Sequence, residues 1–252
     1  RIRERLEELP QATIDDFKAL QYDVVSLQAR DLLKIFLPHL PAGTIKTRLE
    51  NWSCQYTPES HEASLFQRLY RNVILEIFGQ PSNGQGGIGW RRMFYLASRI
   101  GYSTMVITAI DALLHKESST WWHSRDKGVM IHAACESIRD KDDRPWSDVN
   151  AFRFTNRFFE GRRAGRLFGF HTGEFAMPGN HATPFQGHLL RAAKRESTFA
   201  PSYHFVTDMS TDEAWTNLPG GPCESRFSKY YKTDIARWSR GEYKLLSPAD
   251  AE

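Results

Sequence analysis

A length of 252 residues allows one large domain or two small ones, and a composition of 40% hydrophobic and 25% charged residues excludes wholesale disorder. The net charge of +3 is too small to force a nucleic-acid or membrane partner, and no apolar run reaches the roughly 18 to 20 residues that a membrane span requires. Three cysteines, Cys54, Cys135 and Cys223, lie far apart with no CxxC pairing, which excludes a zinc ribbon or a disulfide framework and leaves the compartment open.

The chain opens "RIRERLEELP", with Ile2, Leu6 and Leu9 at helical spacing and no capping residue in front. This reads as a helix already under way, so Arg1 is expected to be a cut inside a longer protein, with any targeting segment lost upstream. Thr13, followed by Asp15 and Asp16, begins the next helix, the acids favouring its positive end. Its apolar residues Ile14, Phe17, Leu20, Val24, Leu27, Leu32, Leu33, Ile35 and Phe36 keep a spacing of three or four until "LPHLPAGT" stops it. A further helix is predicted over 62–78, through Leu65, Leu69 and Val73, then a loop "GQPSNGQGGIGW", helical stretches over about 91–115, and a helix over 127–139.

Beyond Pro145 the texture changes. "WSDVNAFRFTNRFF" alternates aromatic and polar residues, in the manner of a strand or an aromatic-rich loop. "SYHFVTDMS" and "AWTNLPGG" read as a hairpin around a Ser-Thr-Asp turn. A short helix over 232–240 meets a glycine stop at Gly241, and "GEYKLL" follows. Helices first and antiparallel strands after them predict an α+β fold, organised as a helical segment 1–145 and a strand-rich segment 146–252 within one structural unit.

Chemistry is hard to place from spacing alone. The glycines of "VILEIFGQPSNGQGGIGWRR" fit neither G-x-G-x-x-G nor the P-loop, so an interhelical loop is expected there. Nine histidines include His123 and His132, which flank a basic, mostly polar stretch, but no HExxH or His-Asp pairing stands at ligand spacing, and no metal site is assigned. Arg166, Phe168 and Phe170 alternate as in RNA-binding sheets, yet buried aromatics with arginines on the rim explain the same residues, and no nucleic-acid partner is assigned. There is no G-x-S-x-G elbow, and Arg1 cannot be an N-terminal nucleophile.

The closing stretch carries more. Pro201, Ser202, Val206, Asp208, Ser210, Leu218, Pro219, Gly220, Gly221, Ser228, Tyr231, Trp238, Gly241 and Tyr243 fall in the order G-P-S-F-R-x-V-x-D-L-S, L-P-G-G, P-H-Y and W-x-x-G-x-Y. "RIRERLEELPQATIDDFKALQYDVVSLQARDLL" matches R-I-x-E-L-L, T-x-x-D and L-Q-x-D-x-x-S-x-x-A-x-x-L-L, and "GRLFGFHTGEFAMPGNHATP" matches G-x-L-F-x-x-G-P-F-x-x-P-G-D-G-D-T-V. Over about residues 1–246 the chain thereby resembles the C-terminal part of the β chain of the penicillin acylase (penicillin amidase) family of N-terminal-nucleophile hydrolases.

That resemblance implies part of an αββα fold and an autoproteolytically processed N-acyl amidohydrolase. In it a serine opening the β chain attacks the amide, its own α-amine serving as base. An asparagine and a backbone N–H hold the oxyanion. Both the serine and the asparagine are expected before Arg1, so this chain alone is expected to be inactive. The partners implied are the missing N-terminal part of the β chain, the α chain and a small N-acyl amide. No cofactor is implied for this chain; the calcium that family members often bind uses residues outside it.

Arg1 occupies the position of an arginine near the oxyanion asparagine, where it either supports the oxyanion region or forms a structural ion pair. Asp23 matches the family's L-Q-x-D, for which a structural role is expected. The family's acid before the threonine falls at Ala182, beside His181, and its Q-S-G-N hook is Pro222, Cys223, Glu224 and Ser225 here. A non-catalytic binding module around 153–170, or an inactive scaffold of the same family, are the alternatives.

Overall fold

The structure, a computed structural model, describes residues 1–78, 103–122, 125–152, 154, 156–159, 163–171, 174–186, 196–197 and 200–247. The loop expected at "GQPSNGQGGIGW", the part of the expected 91–115 helical stretches that precedes residue 103, and His123 lie outside the described residues. Nine α-helices stand among those described: α1 Ile2–Glu7, α2 Ile14–Gln21, α3 Leu27–Phe36, α4 Thr44–Glu50, α5 His61–Phe78, α6 Ser103–Leu114, α7 Lys127–Glu136, α8 Arg163–Leu167 and α9 Ile235–Arg240. The described strands are β1 Ala151–Phe152, β2 Phe175–Ala176, β3 Glu196–Ser197, β4 His204–Thr207, β5 Ala214–Asn217 and β6 Lys244–Leu246. The chain is α+β, helical first and strand-bearing after.

Local chemistry sets the first helices. Thr13 caps α2 through a capping box: its N–H donates to Asp16 Oδ2 at 2.9 Å, and Asp16 N–H donates back to Thr13 Oγ1 at 3.3 Å. Such a cap contributes about 1 kcal/mol. The single helix predicted from Thr13 to Phe36 is in fact two. Ser26 Oγ accepts from Ala29 N–H at 3.1 Å and starts α3 afresh, and Val25 between the helices pairs with Gln55 in an isolated antiparallel bridge. The apolar spacing runs through the break because Val24 and Val25 are buried or half-buried in an extended conformation as well. Helix α4, which the sequence reading passed over, starts at Gly43 and buries Leu49.

Helices α3, α4, α5 and α7 surround one core. Phe36, Leu49, Phe66, Leu69, Val73, Met130 and Ile131 are almost wholly buried there. Each such side chain contributes about 1.5–3 kcal/mol through removal from water. Trp146 belongs to this core although it follows the helical segment, and its Nε1–H donates to Gly179 O at 3.0 Å.

A second, smaller core joins Phe152, Met177, Phe185 and Trp238, with Tyr22 and Val24 packed against it. The two cores thus exchange residues across the chain, the early Tyr22 lying with the late strands.

The predicted hairpin is present: β4 pairs antiparallel with β5, Val206 opposite Trp215, and β5 pairs antiparallel with β6. Most of the described strand pairings are antiparallel, as expected; β1 pairs antiparallel with β2 and, over two residues, parallel with β3. Arg166 lies in helix α8 with Phe168 and Phe170 after it, and the expectation of buried aromatics there is corrected at Phe168, which is 52% exposed because it stands on the surface at the end of that helix.

Tyr22 is the hub between the cores. Its hydroxyl donates to Trp238 O at 2.7 Å and accepts from Asn217 Nδ2 at 3.0 Å. Its ring stacks on Phe185 at 4.8 Å and lies 4.7 Å from His204. Burial pushes the phenol up to about 12, the Asn217 bond pulling weakly the other way. His204 Nδ1 donates to Asn217 Oδ1 at 2.9 Å. Burial lowers the His204 pKa from 6.5, with the Asn217 bond opposing in part.

Helix α9 ends at Gly241 in the left-handed region, φ 73°, and a Cβ there would meet the Tyr22 ring at 3.3 Å. Gly241→Ala is therefore expected to cost about 1–2 kcal/mol, read as a lower urea midpoint. A second outcome concerns pH. Because folded His204 takes a proton less readily than the unfolded chain, its contribution is intact above pH 6.5 and is lost as pH falls below that value towards the folded pKa. Urea melts from neutral to mildly acidic pH are expected to fall less steeply in His204→Gln than in the native chain.

Candidate functional site

The site is built at the break between α2 and α3. Asp23 turns its carboxylate two ways. Oδ1 accepts from Val25 N–H at 2.8 Å, fixing the extended segment, and Oδ2 accepts from Arg1 Nε at 2.8 Å. Arg5 Nε approaches the same oxygen at 3.9 Å. The Arg1 and Asp23 side chains are 16% and 10% exposed, so the pair is shielded enough to keep most of its attraction. Arg1 Nη1 also donates to Glu4 Oε2 at 2.9 Å, and Arg30 reaches Glu4 from α3 at 3.1 Å. Burial disfavours the Arg1 cation, but its bonds to Glu4 and Asp23 outweigh that and raise its pKa.

The backbone of Asp23 completes the junction. Its carbonyl accepts from Phe185 N–H at 3.0 Å, which brings the 177–186 loop onto the same segment. That loop is held from inside and behind. Thr183 Oγ1 accepts from Asn180 N–H at 2.9 Å and donates to Phe185 O at 2.6 Å. Gly179 N–H donates to Tyr56 O at 2.8 Å, and Asn150 Nδ2 donates to Met177 O at 3.0 Å and Gly179 O at 3.2 Å. Gly179 has φ 74° and sits so close to Phe185 that a Cβ would fall 2.0 Å from its carbonyl oxygen, so only glycine fits.

The structure therefore joins Arg1, Asp23 and the PGNHATP loop in one assembly. Ala182 N–H donates to Asn180 Oδ1 at 2.7 Å, with His181 half-buried beside it. The altered hook lies elsewhere, where Asp234 N–H donates to Gly220 O at 2.8 Å. There Cys223 is partly exposed, and hydrogen bonds from Ser228 and the Ser225 backbone lower its pKa. His132 is on the surface of α7, with Nε2 3.6 Å from Glu136. Among the described residues no group of three or more His, Cys, Asp or Glu side chains is placed to hold a metal ion.

Sequence reasoning missed Asn150 and Tyr56, which tie the loop down. Nothing in their local pattern distinguishes them, since both act through bonds to distant backbone. It also missed a groove of about 560 Å³ on the far side of Glu4, lined by Gln28, Arg30, Asp31, Asp111 and His115. Burial raises the Asp111 pKa there, against hydrogen bonds from Tyr70 and Gln28. Acids and bases line this groove together, so it selects no single ligand charge.

The family profile of penicillin amidase matches residues 1–252, and the chain belongs to that family. Among solved structures it is similar to the thermostable penicillin G acylase from Alcaligenes faecalis in its orthorhombic form, at 15% identity and a TM-score of 0.47. That alignment takes in 98% of this chain and 49% of the other, so the chain spans about half the length of the solved one. No curated protein sequence matches it.

Asp23→Ala leaves a shielded Arg1 charge and the Val25 N–H without their acceptor, and is expected to cost about 2–3 kcal/mol in chemical denaturation. Asp23→Asn, which keeps an oxygen for Val25, is expected to lose about half as much.

Proposed function

We propose that this chain is the C-terminal portion of the β chain of an amidohydrolase that cleaves N-acyl amides through an N-terminal serine acyl-enzyme. The observation that carries the reading is the match to the penicillin amidase family over the whole of residues 1–252. The seating of Arg1 supports it: the guanidinium is fixed on two sides by Asp23 and Glu4. Asp23 is itself clamped to the 177–186 loop.

In this reading the serine and the oxyanion asparagine are supplied from outside the chain, by the N-terminal part of the β chain, with the α chain as a further partner. The serine oxygen attacks the amide carbonyl while its proton passes to the serine α-amine. Collapse of the tetrahedral intermediate expels the amine, which takes that proton, and water then hydrolyses the acyl ester. Arg1 acts as a positioning residue. Its charge is already shared with two carboxylates, so its contribution is to hold polar groups around the developing oxyanion in one orientation. The segments 1–145 and 146–252 serve this as one unit, and calcium, where relatives bind it, is taken by residues outside this chain.

The test uses the full-length protein. Intact-mass analysis is expected to give two chains, one beginning with serine, and an acyl adduct on that serine with a slow N-acyl substrate. Arg1→Ala is expected to lower kcat by about a hundredfold with a much smaller change in KM, and Arg1→Lys to recover part of it. A single unprocessed chain without amidase turnover would sink the enzyme reading. An Arg1→Ala variant with native kcat and only a lower melting temperature would leave Arg1 a structural ion pair.

A further inference from the structure

Positive charge is concentrated in two segments of this sequence: 157–171 and 222–240 together carry nine Lys and Arg against three Asp and Glu, in a chain whose whole balance is +3. Seven of those cations and two of the acids have described side chains. Everything outside these two segments is on balance acidic. The segments are joined in space. Tyr231 Oη donates to Phe170 O at 3.2 Å, Lys232 Nζ donates to His171 O at 3.3 Å, and the Arg226 guanidinium lies 5.8 Å from the Phe170 ring and 5.0 Å from that of Phe227.

The lobe is also stapled from within. Asn156 N–H donates to His171 Nδ1 at 3.1 Å, which leaves Nε2 to donate to Phe159 O at 3.1 Å. Phe159 stacks on Phe170 at 4.8 Å, and a side chain at Gly165 would collide with the His171 ring. The surface is thus set in advance.

Out of this basic surface stand apolar tips. Phe158 and Phe227 are 86% exposed, Leu167 81% and Phe168 52%. Exposed apolar residues scattered singly need no explanation, but four on one basic lobe do. Arg163, Arg166, Lys229 and Lys232 are exposed among them.

Shape and chemistry choose between occupants. Base recognition stacks bases in succession on open ring faces; here Phe159 and Phe170 use theirs on each other and the Arg226 guanidinium lies over the Phe227 ring, which leaves Phe158 and Phe168 as the open ones. Leu167, an aliphatic side chain, offers a base nothing to stack on. A protein partner would need sockets matched to tips projecting from separate turns. A lipid surface accepts projecting phenylalanine and leucine at its headgroup–acyl boundary, and its phosphates accept the basic rim. No helix among the described residues is long and apolar enough to cross a membrane. The geometry points to a peripheral docking surface for an anionic phospholipid bilayer, with Phe158, Leu167, Phe168 and Phe227 entering the boundary and Arg163, Arg166, Lys229 and Lys232 meeting lipid phosphates. This goes beyond the amidase reading and does not depend on it.

Co-sedimentation of the full-length protein with phosphatidylglycerol–phosphatidylcholine vesicles tests it. Binding is expected to be about tenfold or more weaker on phosphatidylcholine alone, and to fall as salt screens the basic rim. The triple variant Phe158→Ser, Leu167→Ser, Phe227→Ser is expected to bind mixed vesicles about tenfold more weakly with an unchanged thermal melt. Arg163→Gln, Arg166→Gln, Lys229→Gln is expected to lose the preference for anionic vesicles. Absence of vesicle binding, equal binding to neutral and anionic vesicles, or indifference to the apolar tips overturns the proposal. So does tighter binding to a single-stranded oligonucleotide than to anionic vesicles at the same ionic strength, which would assign the lobe to nucleic acid.

Discussion

Two adjacent residues, Tyr22 and Asp23, hold the early helices to the late strands, and the rest of the structure is arranged around them. Tyr22 leaves the end of α2 and enters the second core, where its hydroxyl bridges Trp238 and Asn217 and its ring lies between Phe185 and His204. Asp23 turns the other way, its carboxylate on Arg1 and Val25 and its carbonyl on Phe185. A continuous helix through this segment would point these two side chains about 100° apart on one cylinder and leave their backbone groups engaged within it. Only an extended segment lets one peptide serve both cores. The break between α2 and α3 is therefore the constraint from which the site's geometry follows.

That break was the part of the fold least legible in the sequence. The spacing of apolar residues from Ile14 to Phe36 is helical throughout, and it conceals a segment stabilised by a bridge to Gln55 and a backbone bond from Tyr56 N–H to Val24 O at 3.0 Å. Such long-range partners leave no periodic trace. Ser26 was the available local signal, a good N-cap followed by a clean amphipathic run. Where a feature is made by its own neighbours, the reading was close. Thr13 with Asp16, Gly241 after α9 and the hairpin turn between β4 and β5 all act within a few residues. Around Arg166 the expectation of buried aromatics is met only in part: Phe170 stacks on the distant Phe159, which no local pattern reveals, while Phe168 is exposed.

The candidate site divides the same way. Arg1 and Asp23 were legible only through resemblance, since a lone arginine and a lone aspartate at that separation signal nothing by spacing. What the structure adds is the manner of their pairing. An arginine that is bonded to one carboxylate presents a directional positive charge; one bonded to two presents much less. Glu4 is further shared with Arg30 and Asp23 is approached by Arg5, so three guanidinium groups meet two carboxylates.

On the proposed amidase reading, a charge already engaged by two carboxylates limits what Arg1 contributes. The field that it projects over more than a few ångströms is largely cancelled by Asp23 and Glu4, and any effect on a negative transition state must be exerted at hydrogen-bond distance. Orientation is the remaining route. The guanidinium is planar, and two of its three nitrogens are tied to helix α1 and to the Tyr22–Val25 segment. Its plane is thereby fixed with respect to both cores. A group resting against that plane inherits an orientation set by the break after α2, by the loop that Phe185 carries, and by the hydroxyl of Tyr22 one residue away. On the proposed role of Arg1, folding and positioning use the same set of contacts, so a change that loosens Asp23 is expected to disturb both together.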